Sequence, residues 1–407
     1  MNLTKQSKYR LLALALSCAV AAVYMYDFFF MVGEHGVSGS DVKTQIGYIE
    51  SWWENGSLPP MCQVYPLYYY VINAMFHVLH YWTPVILVFA GGWSFVTNLV
   101  QIAFVRHLCG GNSGLYPVLT GTALSFAWPV SLQYSFFGGV TFWEMPMEQV
   151  FLTSGATSPN HSLTFLCVKP FALLSIYLFL RILDHEEAQG QRELMLLLVA
   201  FSGALFLSVI AKPNFYQAFA PAGVVATVAY FVKKGRRSFG RCISMAAAYL
   251  PATFWVLYGM TKKLNTFAIS PLEGIRLFGN GTPLWIVLAR AIVFCIFVTA
   301  CLLAYHKADG RLLLGWLVYA FGTAEFLLLI EPDDILTLSM SWGYYIGQYV
   351  LFAVTAGGFR QLCMNVRNRT MAILSRTGCL LLAVHAAFGL LVFLVTWWPR
   401  WRSFLGI

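Results

Sequence analysis

The chain has 407 residues, of which 59% are hydrophobic, 16% aromatic and 11% charged, where an ordinary soluble domain is roughly 25% charged. Apolar runs follow one another along almost the whole length, which excludes a Rossmann, P-loop or other cytosolic nucleotide-binding module. The net charge of +9 therefore reads as a membrane-topology signal and not as a nucleic-acid one. The nine cysteines lie mostly in apolar segments and are expected to form neither a disulfide framework nor a CxxC metal site.

Eleven stretches reach spanning length, about 18–25 residues: 11–32, 82–106, 115–135, 163–181, 194–211, 214–233, 242–261, 284–304, 311–330, 344–359 and 374–396. They predict a single all-α integral membrane domain over 1–407. Lys5, Lys8 and Arg10 precede the first stretch, which is too long for a signal peptide and lacks a small-residue cleavage site, so it is expected to be retained.

Residues 64–80 are also apolar enough to span, and charge parity decides against it. With a cytosolic N-terminus and eleven spans, most Lys and Arg face the cytosol, including Lys233, Lys234, Arg236, Arg237, Arg241, Arg360, Arg367 and Arg369. A further span at 64–80 would turn all the later clusters outward, against the positive-inside tendency. Residues 64–80 are therefore expected to lie along or dip into the outer surface, inside a first outer loop at 33–81. The outer loops are longer than the cytosolic turns and carry most of the acids, which places the expected chemistry on the outer face of the plasma membrane.

Five ionisable groups, Asp27, Lys169, Lys212, Arg290 and Glu325, fall a few residues below that outer surface. Buried charge in a bilayer costs several kcal/mol, so each needs a partner or water. One reading is a polar cavity opening outward. The other is a set of structural pairs, Arg290 with Glu325 and Lys169 with Asp27, plus snorkelling lysines. An alternating-access transporter would place such groups nearer the midplane.

In the first outer loop, Asp41 opens a stretch in which Ile46, Ile49, Trp52 and Trp53 share one side of a helix. This predicts an amphipathic helix ended by Asn55-Gly56 and Pro59-Pro60. Asp41 is equally placed to act as an N-cap beside Ser38 and Ser40. After it come Tyr65-Pro66-Leu67-Tyr68-Tyr69-Tyr70, then Ser158-Pro159-Asn160-His161-Ser162 with Lys169-Pro170-Phe171, then Ala211-Lys212-Pro213-Asn214-Phe215, and finally Ser341-Trp342-Gly343-Tyr344. In this order the patches resemble the first outer loop and later motifs of the GT-C superfamily of integral membrane glycosyltransferases. The chain departs from that pattern in having no acidic pair beside Asp41 and no His-Pro-Pro form of the Tyr65-Pro66 segment.

The resemblance implies a GT-C-like architecture and transfer of a sugar, with inversion, from a polyprenyl-phosphate donor to a lipid, glycan or protein acceptor. No cofactor is implied, and no metal site is expected from Asp333-Asp334. Asp41 matches the superfamily's catalytic acid and is expected to be the general base, with Asp27 as competitor. Lys212, then Lys169 and Arg276, are the candidates for the donor phosphate. Glu144, Glu148, Asn160, His161 and Glu331, with Asp27, are the candidates for contacts to the substrate. Membrane lipids are the other expected partners, and nucleic acid is not one. The alternatives are an O-antigen polymerase or ligase, and a lipid-linked sugar flippase or other transporter, which would not require Asp41.

Overall fold

The structure, a computed structural model, describes residues 4–32, 41–111, 114–127, 162–185, 190–262, 268–273, 275, 283–330, 341–364 and 368–405. Apart from one two-stranded pair, the elements are helices. Helix α1 (Lys5–Val32) packs along α5 (Trp82–Leu108). Between them lie α2 (Asp41–Asn55), α3 (Pro60–Val64) and α4 (Leu67–Leu79).

The amphipathic helix foreseen from Asp41 is α2, ended by Gly56 at φ +74°, a conformation that glycine adopts without a Cβ penalty. Its buried side carries Val42, Gln45 and Ile49, while Trp53 stacks on Trp82 with ring centroids 5.6 Å apart and donates to Asn73 Oδ1 at 2.7 Å. The 13 residues of α4 rise about 20 Å, short of the ~30 Å hydrocarbon core, and α4 is a shorter apolar helix than the candidate spans.

Helices α6 (Leu115–Leu124), α7 (Leu163–Asp184), α8 (Gln191–Ala211), α9 (Asn214–Lys234) and α10 (Phe239–Lys262) follow. The continuous helical stretch Asn214–Lys262 folds back on itself. Gly235 at φ +69° opens a 3₁₀ turn, and the hydroxyls of Tyr216 and Thr253 meet at 2.6 Å across the resulting hairpin.

The chain continues through strand β1 (Ala268–Ile269), α11 (Leu284–Ala291), α12 (Val293–Ala304), α13 (Gly310–Leu328), strand β2 (Leu329–Ile330), α14 (Ser341–Met364) and α15 (Arg369–Leu405). The two short strands pair antiparallel, Ala268 opposite Ile330.

Seven helical stretches among the described residues are long and apolar enough to cross a membrane, or eight with the broken pair α11–α12. This is a polytopic helical membrane protein, with exposed apolar side chains such as Leu196, Val199, Val228, Val232 and Phe254 along α8, α9 and α10. The eleven-span expectation differs from this count for local reasons, the first being that 214–233 and 242–261 are the two arms of the one helical stretch Asn214–Lys262. The stretch 284–304 is not one straight helix but bends by 76° at Ile292. Of 115–135, the described helix ends at Leu124. Helix α14 does not register as a span on apolarity because it is rich in Gly and Tyr, and it can be so because it is buried almost end to end against α13, α12, α9 and α5. Small residues permit such close helix approach in membranes.

The break in α11–α12 frees carbonyls that a dry interior must satisfy. Gln348 on α14 donates from Nε2 to the Ala291 carbonyl at 3.0 Å and is buried. Gln348→Leu is expected to lower stability by about 1–3 kcal/mol, the cost of a buried unpaired acceptor, read as a fall in the thermal midpoint of the detergent-solubilised protein.

The ends of α5 and α7, the 235–238 turn and the α12–α13 turn at 305–309 gather at one end of the bundle. There Arg311 pairs with Asp184 at 2.6 Å, His107 lies 3.6 Å from the same carboxylate, and Arg181 pairs with Glu193 at 3.0 Å. The opposite end carries α2–α4, the α8–α9 junction and the strand pair.

Candidate functional site

The α8–α9 junction is set by Pro213. A residue before proline is pushed out of the helical region, and Lys212 accordingly takes φ −168°, ψ 119°, while its N–H closes the last turn of α8 on the Ser208 carbonyl. Lys212 is 8% exposed. Its Nζ donates to Thr164 Oγ1 at 3.2 Å and sits 3.7 Å from the centroid of the Trp342 ring, a cation–π placement that holds a desolvated ammonium. The Asp41 carboxylate interacts electrostatically with it.

Asp41 opens α2 and is half-buried. One turn on, Gln45 donates from Nε2 to Ser162 Oγ at 3.2 Å, and Ser162 and Thr164 exchange a hydrogen bond at 2.8 Å. A polar line thus runs from α2 through the start of α7 to Lys212. Tyr65 and Tyr68 also lie within the field of Asp41. Burial raises both phenols above their usual range, with the neighbouring charge of Asp41 adding to it, so both are neutral donors at physiological pH. Burial likewise pushes the nearby Cys62 thiol up to about 11, so it is not a nucleophile here.

Lys169 lies one and a half turns deeper on α7 and is 3% exposed. Its Nζ is 4.7 Å from the Phe165 centroid and 4.5 Å from that of Tyr349, whose hydroxyl it contacts at 3.5 Å. The Phe165 ring also packs 4.8 Å from Trp342, so one aromatic layer separates the two lysines. Tyr349 and Tyr24 converge on the Ser125 carbonyl at 3.3 and 3.2 Å, and Tyr24 interacts with Asp27. Asp27 is fully buried. The alternative reading from sequence paired Lys169 with Asp27; what the structure shows between them is a linkage through Tyr349 and Tyr24.

The alternative reading from sequence paired Arg290 with Glu325; the ion pairs found among the described residues, His107–Asp184, Arg181–Glu193 and Arg311–Asp184, do not include Arg290. Glu325 rests against α14. A Cβ on Gly343 would come within 2.6 Å of its Oε2 and 3.3 Å of the Asn214 carbonyl, so only glycine lets that carboxylate lie beside the α8–α9 junction.

Of the residues expected from sequence, Asp41 lies in electrostatic range of Lys212, Lys169 stands one aromatic layer behind, and Asp27 approaches Lys169 through Tyr24 and Tyr349. Glu144, Glu148, Asn160, His161, Arg276 and Glu331 lie outside the described residues. Among the described residues no group of three His, Cys, Asp or Glu comes together as metal ligands. Sequence reasoning did not single out Thr164, Phe165 and Tyr349. The available signal was weak: a hydroxyl in the first turn of an apolar helix, and aromatics indistinguishable by pattern from core. No family model, no curated protein and no solved structure matches the chain.

Proposed function

We propose that the chain is a GT-C-type glycosyltransferase of the plasma membrane, with eleven spans, a cytosolic N-terminus and its site on the outer face. It transfers a sugar from a polyprenyl-phosphate donor to a hydroxyl of a lipid, glycan or protein acceptor. The observation that carries the reading is the polar line from α2 through Gln45, Ser162 and Thr164 to Lys212, with Asp41 at its start and in electrostatic range of the lysine. A carboxylate at the mouth of a polar cluster and an ammonium held over an aromatic ring are the two groups that such a transfer requires.

Asp41 takes the acceptor proton as the acceptor oxygen bonds to the anomeric carbon, and the bond from that carbon to the carrier phosphate breaks with its electron pair on phosphate oxygen. The charge developing there is stabilised by Lys212, with Lys169 below. Half-buried Asp41 can reach an acceptor, whereas fully buried Asp27 cannot without rearrangement, which favours Asp41 as the base. Thr164 and Trp342 are positioning residues for Lys212.

Removing the ammonium tests the phosphate assignment. Lys212→Met is expected to weaken binding of polyprenyl phosphate about 10- to 100-fold, the worth of a charge-assisted hydrogen bond, and Lys212→Arg to retain most of it. Equal affinity of native protein and Lys212→Met in equilibrium binding with labelled carrier would remove Lys212 from the donor site.

A further inference from the structure

At the end of the bundle opposite Asp41, a cavity of about 980 Å³ opens among α7, α9, the start of α10 and the start of α13. Among the described residues, five cationic side chains line it, Lys233, Lys234, Arg237, Arg241 and Arg311, against two carboxylates, Asp184 and Asp309. Both carboxylates are already engaged. Asp184 binds Arg311 at 2.6 Å, and Asp309 caps α13 by accepting from the Arg311 and Leu312 N–H groups at 3.1 Å.

Two of the cations are fixed in place. Arg241 donates from one terminal nitrogen to the His185 carbonyl at 2.8 Å and the Tyr230 hydroxyl at 2.7 Å, and Arg311 is held by Asp184. Lys233, Lys234 and Arg237 surround them and are exposed, so the described lining of the cavity carries an excess of positive charge.

Its remaining wall is apolar. Leu183, Val225, Ala229, Leu313 and Leu317 line the cavity away from the charged groups, and Val225 and Leu313 are 42% and 54% exposed. A water-filled anion site has no use for exposed aliphatic side chains at its edge. A cationic chamber continuous with a lipid-facing apolar groove matches a molecule that has a phosphate at one end and hydrocarbon at the other.

We infer that this cavity binds the phosphate headgroup of an anionic phospholipid from the leaflet at this end, with its acyl chains along α9 and α13. The site is separate from the Asp41–Lys212 cluster and stands whether or not the transferase reading does.

The test uses the full chain, purified in detergent and washed to constant lipid content, then titrated with dioleoylphosphatidylglycerol or dioleoylphosphatidylcholine and followed by native mass spectrometry. Phosphatidylglycerol is expected to bind at least about tenfold more tightly. The preference should fall to within about twofold in K233A/K234A/R237A and persist in K5A/K8A/R10A, which removes the same charge from α1. R237E alone serves if the triple variant is not monodisperse, with the same expected loss. Equal binding of the two lipids, or a preference surviving in the cavity variants, would overturn the assignment. So would glycerol phosphate binding as tightly as phosphatidylglycerol, because the apolar wall would then contribute nothing and the site would be one for free phosphate.

Discussion

Asp41→Asn is expected to lower sugar transfer by about 10²–10⁴-fold, the usual worth of a positioned general base, while leaving carrier binding within about twofold. The amide keeps the size and the helix-start position of the carboxylate, so a loss of folding is not expected to contaminate the result. Nor is donor affinity, because Lys212 keeps Thr164 and Trp342. Transfer and carrier binding measured on the same preparation separate the two contributions. A fall in binding equal to the fall in transfer would show Asp41 to be a structural partner of Lys212. The parallel Asp27→Asn variant is expected to act on stability through Tyr24 and Tyr349 and to leave the pH dependence of transfer unchanged.

The second large effect belongs to the helix contact that carries the site. Where α13 and α14 cross, glycines let the backbones touch, and a Cβ on Gly347 would lie 2.9 Å from both Tyr319 Cα and the Val318 carbonyl oxygen. Neither atom can rotate away as a side-chain tip would. Gly347→Leu must therefore part the helices, at a cost at or above the ~3 kcal/mol upper end for overpacked cores, and Trp342, Gly343 and Tyr349 on the same helix would move with it. The expected result is a large drop in thermal midpoint together with lost carrier binding. Gly203→Ala on α8 is the control, since nothing lies within 4 Å of its added Cβ and helix propensity gains up to about 1 kcal/mol. Equal midpoints for the two variants would refute the close packing of α13 on α14.

Much of the helical layout is legible in the sequence because hydrophobic length is a local property. The limits of α1, α5, α7, α8 and the α9–α10 hairpin fall near the apolar stretches, and Asn55-Gly56 ends α2 through glycine's access to positive φ. The embedded charges were also visible, since a lysine inside an apolar run stands out against its neighbours. What those charges meet was not visible. Lys169 finds Tyr349, and Glu325 finds the backbone of Gly343, through contacts between segments far apart in the chain that no periodicity encodes. Helix α14 illustrates the same limit. A Gly- and Tyr-rich helix looks poorly apolar, and its place at the centre of the bundle follows only from the helices packed around it. The 76° bend at Ile292 has no proline to announce it, and the Gln348 amide that meets the adjacent Ala291 carbonyl comes from a distant helix.

The most direct test of the transferase reading places the purified native protein in vesicles with radiolabelled polyprenyl-phosphate sugars and a lipid extract of the host. The account predicts that label leaves the carrier and appears in a new acceptor-linked product, with one free polyprenyl phosphate released per sugar transferred. Protein-dependent movement of intact lipid-linked sugar across the vesicle wall, with no transfer from any carrier, would contradict it and make the Asp41–Lys212 cluster part of a transport route.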